Sequence, residues 1–368
     1  MKKRYLSLDV LRGLTVALMI VVNNPGSWTV TYPMLKHAAW DGCTPCDLVF
    51  PFFLFCVGVS MTFALAKYAT LSWDALKKIL KRGALLYLVG LLLTAYPFFP
   101  SQQSMDPQLN FWQNWINWAS DLRLVGVLPR IAMCYVAASV LALWLKKPSR
   151  IGIAIGVLSV LHVGLLLAFA GPEGAFTLEG NFARRFDIAI LGVKHVYEGY
   201  GIPFDPEGVF GALTGTCTVL LGYLIGYVIK HNTPSESSLK IYAFSASSIL
   251  AGLILSIWIP INKPLWSVSY VFYAGGWAMF VLALLVYLID VKGWEKPFFP
   301  FKAFGMNALI LFVLSGLIMK TNMRFIGWNY GAYFGVNEFR SLVYALSYML
   351  VHLVIAIIMY KKKIFIKL

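Results

Sequence analysis

Ten stretches of about 20 mainly apolar residues follow one another along this chain, and each is long enough to cross a hydrocarbon layer about 30 Å thick as a helix. Backbone in lipid must satisfy its own hydrogen bonds, which a helix does within a single segment. The fold expected is therefore all-α, a polytopic integral membrane protein with spans near 6–24, 47–66, 79–97, 124–145, 150–170, 208–229, 240–259, 268–289, 303–320 and 341–360. With 59% apolar and 13% charged residues, no soluble class fits. No composition shift or internal repeat divides the chain, so residues 1–368 read as one integral-membrane domain, and an inverted-repeat transporter gains no support.

The charges orient the spans. If the amino terminus is cytoplasmic, 21 of the 31 cations lie at inner ends, among them Lys2, Lys3, Arg4, Arg12, Lys77, Lys81, Lys302, Lys361 and Lys367. The outer ends then hold 10 cations and 11 of the 16 acids. The positive-inside rule thus predicts both termini in the cytoplasm. The net charge of +15 does not indicate nucleic acid, because the cations sit in short loops beside spans with no basic, aromatic-interleaved soluble stretch. The first run is not a signal peptide: Asp9 and Arg12 interrupt its start and no small-residue cleavage site follows.

Two outer loops are long. Residues 98–123 carry Trp112, Trp115 and Trp118, read as an interfacial belt helix with a sugar-stacking platform as the alternative. Residues 171–207 mix Arg184, Arg185, Asp187, Lys194, His195, Glu198, Asp205 and Glu207, and a loop of that length hints at function. Small residues four apart, Gly152/Gly156, Gly211/Gly215 and Gly222/Gly226, predict close helix contacts.

Ionisable groups at or inside a membrane are costly and tend to be functional. Asp9 and Arg12, three apart, read as a pair anchoring the first helix. Arg130 lies too deep for a belt residue and calls for a partner carboxylate or a ligand anion. His37 and Asp47 flank the mouth of the second span, where an imidazole and a carboxylate suit proton handling. Cys43-Thr44-Pro45-Cys46 has dithiol spacing but no thioredoxin-like pattern around it, and it carries no redox assignment. Walker, GxGxxG, HExxH and GxSxG motifs and zinc-spaced Cys/His arrays are all missing, so no metal is expected.

Six segments carry a resemblance: Ser7-Leu8-Asp9-Val10-Leu11-Arg12-Gly13, His37-Ala38-Ala39-Trp40-Asp41-Gly42, Asp47-Leu48-Val49-Phe50-Pro51, Asp205-Pro206-Glu207-Gly208, Asn262-Lys263-Pro264-Leu265-Trp266-Ser267 and Gly305-Met306-Asn307-Ala308. In this order, along essentially the whole chain, they resemble the heparan-α-glucosaminide N-acetyltransferase family. The resemblance implies a membrane enzyme that takes acetyl-CoA from the cytosol and acetylates the amine of a terminal glucosamine on the opposite face. It further implies His37 as the catalytic histidine, Asn23 as its companion, and His195, Tyr197, Asp205 and Glu207 in the acceptor loop. Family members are typically dimers, so a homodimer is expected. Relatives commonly carry Asp-Arg where this chain has Asp187-Ile188, so sugar recognition in that loop is expected to differ. The lumenal region that precedes the first matching helix in animal enzymes is not in the sequence, which leads to an expectation of a bacterial inner-membrane protein.

The residues suit that chemistry. An ammonium cannot attack a thioester until it loses a proton, and general-base help is worth roughly 10² to 10⁴ in rate. His37 is the base expected, with Asp47 or Asp41 orienting it and the Asn23 amide serving the oxyanion; His37 as a transient acetyl acceptor is the covalent variant. Coenzyme A phosphates suit the basic face near Arg12, Lys77, Lys81, Lys302 and Asn307, with Arg130 along the path. Asp41, Asn262, Lys263 and Trp266 join the acceptor-binding set. The rival readings are an O-acyltransferase for a cell-envelope glycan, a transporter without acyl chemistry, and a membrane protein that kept the fold without the reaction.

Overall fold

The computed structural model describes residues 5–101, 105–326 and 333–366; Lys2, Lys3, Arg4 and Lys367, counted above among the inner cations, lie outside the described residues. The elements are helices: α1 (Leu6–Asn23), α2 (Val49–Ala64), α3 (Trp73–Ala95), α4 (Phe111–Ser120), α5 (Val127–Leu145), α6 (Pro148–Ala168), α7 (Phe182–Leu191), α8 (Ala212–His231), α9 (Pro234–Leu255), α10 (Val268–Leu285), α11 (Phe299–Met306), α12 (Ala308–Thr321) and α13 (Glu338–Lys361). Helix starts follow local chemistry. α9 opens six residues earlier than hydropathy suggests because Pro234 takes the first position and Thr233 and Glu236 cap each other's backbone N–H groups.

Among the described residues, nine helical segments are long and apolar enough to cross a membrane. The tenth expected span is α3, set apart from these nine by the cations Lys77, Lys78, Lys81 and Arg82 in its first half. The expected 303–320 span is broken. The backbone leaves the helix at Asn307, whose side chain donates to Ile364 O (2.9 Å) and accepts from Ile366 N (3.0 Å), tying the carboxy-terminal segment to the bundle.

Burial separates a centre from a rim. The most apolar windows of α1, α2, α5 and α8 are 61–72% buried, whereas those of α6, α9, α12 and α13 are 17–28% buried and present Ile153, Val160, Leu250 and Val354 outward. Helices approach closely where glycine allows it. A Cβ on Gly13 would lie 1.8 Å from Phe301 O and one on Gly305 1.8 Å from Asp9 O, so α1 and α11 touch backbone to backbone. Gly58 and Gly222 do the same for α2 and α8. Of the three small-residue pairs, Gly211/Gly215 face Arg130 and Cys134 of α5 and Gly222/Gly226 press on α2, while a Cβ at Gly152 or Gly156 would meet nothing within 4 Å.

Overpacking such a contact typically costs 1–3 kcal/mol. Gly305→Ala is therefore expected to force α11 off α1 and to lower the thermal unfolding midpoint in detergent by several degrees, while Gly152→Ala leaves it unchanged. Equal midpoints for the two variants would show that the α1–α11 contact is not tight.

Candidate active site

The end of the bundle formed by the last turn of α1 and the first turns of α2, α5, α8 and α10 gathers the titratable groups. Asp47 sits in the short 3-10 turn that leads into α2, held by a reciprocal cap in which Thr44 N donates to Asp47 Oδ2 (3.0 Å). Thr44 Oγ1 (3.1 Å) and Ala38 N (3.0 Å) donate to the same oxygen. On Oδ1 converge His37 Nδ1 at 2.7 Å and the Lys263 ammonium at 3.2 Å. Every group around Asp47 is a donor, the pattern of an ionised carboxylate. Its own carbonyl accepts from Tyr270 OH (2.6 Å).

The Asp47 side chain is 1% exposed, but the His37 ring is 47% exposed. With Nδ1–H committed to Asp47, Nε2 is the nitrogen left free to accept a proton. Lys263 Nζ is 3.5 Å from Nε2, and Cys46 Sγ is 3.8 Å from it. Asn23, exposed at the end of α1, shares with His37 and Glu207 a small cavity of about 80 Å³. His37, Glu207 and Lys263 also line a larger outward cavity of about 570 Å³, bounded by Trp28, Arg123, Tyr197, Tyr200 and Trp266.

Glu207 is placed by a lattice of charges. Arg123 Nε and Nη2 clamp Asp205 at 2.7 and 2.6 Å, and Nη2 also reaches Glu207 Oε2 at 2.5 Å. Burial alone would lower Arg123, but its bonds to Asp205 and Glu207 raise it further into the charged range. Arg123 also lies over the Tyr197 ring at 5.0 Å. Arg130 finds no carboxylate at ion-pair distance among the described residues. It donates to Gly208 O (2.7 Å) and lies over the Trp266 ring (5.2 Å), so it supports the Asp205–Gly208 loop. Asp187 supports it from below, accepting from Phe210 N at 2.9 Å; a Cβ on Gly208 would strike Asp187 Oδ2.

Asp41 and Asn262 turn to each other: Asn262 Nδ2 donates to Asp41 Oδ1 (3.0 Å) and Trp40 O (3.1 Å), and its Oδ1 accepts from Leu265 N (2.7 Å). Together with the Gly42 N to Ile261 O bond (2.7 Å), they brace the His37 loop on the Lys263 loop. His195 bonds Leu122 O (2.7 Å), outside both cavities. All five cysteines are free; burial, with Asp47 nearby, pushes the Cys43 thiol up to about 12.

Towards the opposite, basic end, Arg12, Ser60 and Arg82 with Phe53, Val57, Leu128 and Leu309 line a cavity of about 360 Å³ between α1, α2, α3 and α5. Arg12 is fixed there, donating to Ser60 Oγ (2.7 Å) and Gly305 O (3.3 Å). Met306 is shared with a further cavity of about 610 Å³ at the bundle's foot, lined by Lys302, Lys361 and Lys363. Its neighbour Asn307 positions Ile366, part of the wall. Arg123 and Trp28 are the site residues that sequence reasoning passed over. Arg123 stood only as one of the few cations on the outer side, a scarcity that was itself a signal.

Fold and site together define a polytopic membrane protein with cavities at both ends of the bundle, two of which, at one end, share the His37 imidazole. A model of the family described as "Heparan-alpha-glucosaminide N-acetyltransferase, catalytic" matches residues 4–186, which hold His37 and Asp47. The heparan-alpha-glucosaminide N-acetyltransferase of Mus musculus is 27% identical over 416 aligned residues, covering 98% of this chain and 60% of that protein. Its Homo sapiens counterpart is 28% identical over 367 residues, covering 84% of this chain and 52% of that protein. The chain is thus similar to this family, and it spans about half to three-fifths of the length of these relatives.

Burial pushes the Asp187 carboxyl up to about 7, although the Phe210 N–H and the Arg130 charge act to lower it. A carboxyl raised in the folded state gives stability that is complete below its unfolded pKa and lost as pH rises through the folded value. Thermal stability is thus expected to fall from about pH 4 to about pH 7, and to fall less in Asp187→Asn, which keeps an acceptor for Phe210 N–H. Equal slopes for the two proteins would rule out this role for Asp187.

Proposed function

We propose that this protein transfers an acetyl group from acetyl-CoA, entering at the basic end, to the amine of a glucosamine-type sugar met at the other end. The supporting observation is His37, anchored by Asp47 and bordering both the Asn23 cavity and the 570 Å³ outward cavity. The basic end would face the cytosol of a bacterial inner membrane, as the cation distribution favours.

The residues present fit acetyl-CoA. Lys302, Lys361 and Lys363 offer cations for its phosphates, and the narrower cavity above offers Phe53, Val57 and Leu128 for the pantetheine arm, with Arg12, Ser60 and Arg82 for its amides. The thioester then arrives beside Asn23 and His37. Glu207 holds the incoming ammonium. His37 Nε2 first removes one of its protons, and the amine so freed attacks the thioester carbonyl carbon. The negative charge that develops on the carbonyl oxygen is met by the Asn23 amide and the Lys263 ammonium. Collapse breaks the carbon–sulfur bond, the departing thiolate takes the first proton from His37, and the freed Nε2 then takes the second proton from the new amide nitrogen and passes it to solvent. Asp47 keeps Nδ1 protonated throughout, so Nε2 always performs the exchange.

The test is transfer of radiolabelled acetyl groups from acetyl-CoA to glucosamine and glucosaminides by purified protein. His37→Ala is expected to reduce turnover by about 10² to 10⁴ while size-exclusion elution is unchanged. Transfer that survives the substitution would overturn this role for His37. Solute flux in proteoliposomes without acetyl transfer would favour a transporter.

A further inference from the structure

We propose that Trp28 is a specificity-determining residue of the acceptor site, the platform on which the sugar ring stacks while its amine is turned to His37. The inference deepens the acetyl-transfer reading and rests on it for the identity of the reaction.

A tryptophan at a membrane rim ordinarily lies on an exposed face of a helix, and Trp112 is exposed on α4. Trp28 sits instead in the loop between α1 and the His37 segment, and its indole lines the outward cavity opposite Tyr197, Tyr200 and Glu207. It is 65% exposed, yet the backbone beneath it is pinned. Ser27 N donates to Ser341 Oγ (3.2 Å), Gly26 N to Ser341 O (3.4 Å), Thr31 Oγ1 to Ser27 O (2.6 Å) and the Lys36 ammonium to Thr29 O (3.0 Å). Gly26 is pressed so closely on α13 that a Cβ would come within 3.0 Å of Ser341 Cα. A large apolar ring is thus held exposed at the mouth of a cavity that also carries charged groups, where covering it with a ligand would be favourable.

The cavity's chemistry specifies what covers it. Glu207 offers an acceptor for an ammonium and Lys263 a donor for hydroxyls, while Trp28 and Tyr197 offer aromatic faces for the C–H side of a pyranose. An amine without a ring would use Glu207 and His37 but not Trp28. An amino sugar uses all three.

The experiment compares a glucosaminide with ethanolamine as acceptors for wild type, Trp28→Ala and Trp28→Tyr, with glucosaminide binding also measured by calorimetry without acetyl-CoA. Trp28→Ala is expected to raise KM and Kd for the glucosaminide about tenfold while KM for ethanolamine and acetyl-CoA stays within about twofold. Trp28→Tyr should restore most of the glucosaminide affinity. Equal losses for both acceptors, or none for the glucosaminide, would overturn the proposal. If wild type binds the glucosaminide through Trp28 but transfers no acetyl group, the acetyl-transfer reading fails and the platform stands. If it acetylates ethanolamine but shows no glucosaminide binding, the platform fails alone.

Discussion

A single buried carboxylate organises the functional end of this protein. Asp47 lies at the lip of a membrane-length helix, where an uncompensated charge would cost several kcal/mol. Its two oxygens are surrounded by Ala38 N, Thr44 N, Thr44 Oγ1, His37 Nδ1 and Lys263 Nζ. Those donors come from three places in the chain: the loop after α1, the turn before α2 and the loop before α10. Compensating the charge therefore requires the three to meet in one geometry. The imidazole is held at the same moment and by the same group.

Around that point the fold supplies rigidity through backbone proximity. Gly13 and Gly305 bring α1 against α11, which sets Arg12 on Gly305 O and Ser60 Oγ in the wall of the lower cavity. Gly208 gives Asp187 room beneath the loop that carries Glu207. Asn262 joins the His37 and Lys263 loops with both ends of its amide. Several residues in the motif blocks thus act by positioning the groups that face the cavities.

The spans were legible because lipid demands long apolar helices, and His37 with Asp47 stood out because an imidazole and a carboxylate together at the mouth of a span suit proton handling. Neighbours in space were less legible. Nothing in Asn307 distinguishes a residue mid-span from one that breaks a helix to hold Ile364 and Ile366, more than fifty positions away. Arg130 called for a partner carboxylate or a ligand anion by its depth; the loop carbonyl of Gly208 meets Nη2 and the Trp266 face lies against the guanidinium, contacts that only the folded chain creates, while Nε and Nη1 have no hydrogen-bond partner among the described residues. Asn262 looked like a sugar ligand by its exposed-loop setting and turned out fully enclosed. Trp28 and Arg123 were missed because one exposed aromatic and one loop cation carry no periodicity or spacing.

The central claim is that Asp47 fixes the proton on Nδ1 of His37 and leaves Nε2 free toward the cavities. The most direct measurement is nitrogen NMR of the ¹⁵N-imidazole-labelled protein, with the His37 signals assigned by their loss in His37→Gln. The account predicts a neutral ring protonated at Nδ1, with that preference lost in Asp47→Ala. A neutral His37 ring carrying its proton on Nε2 would contradict it.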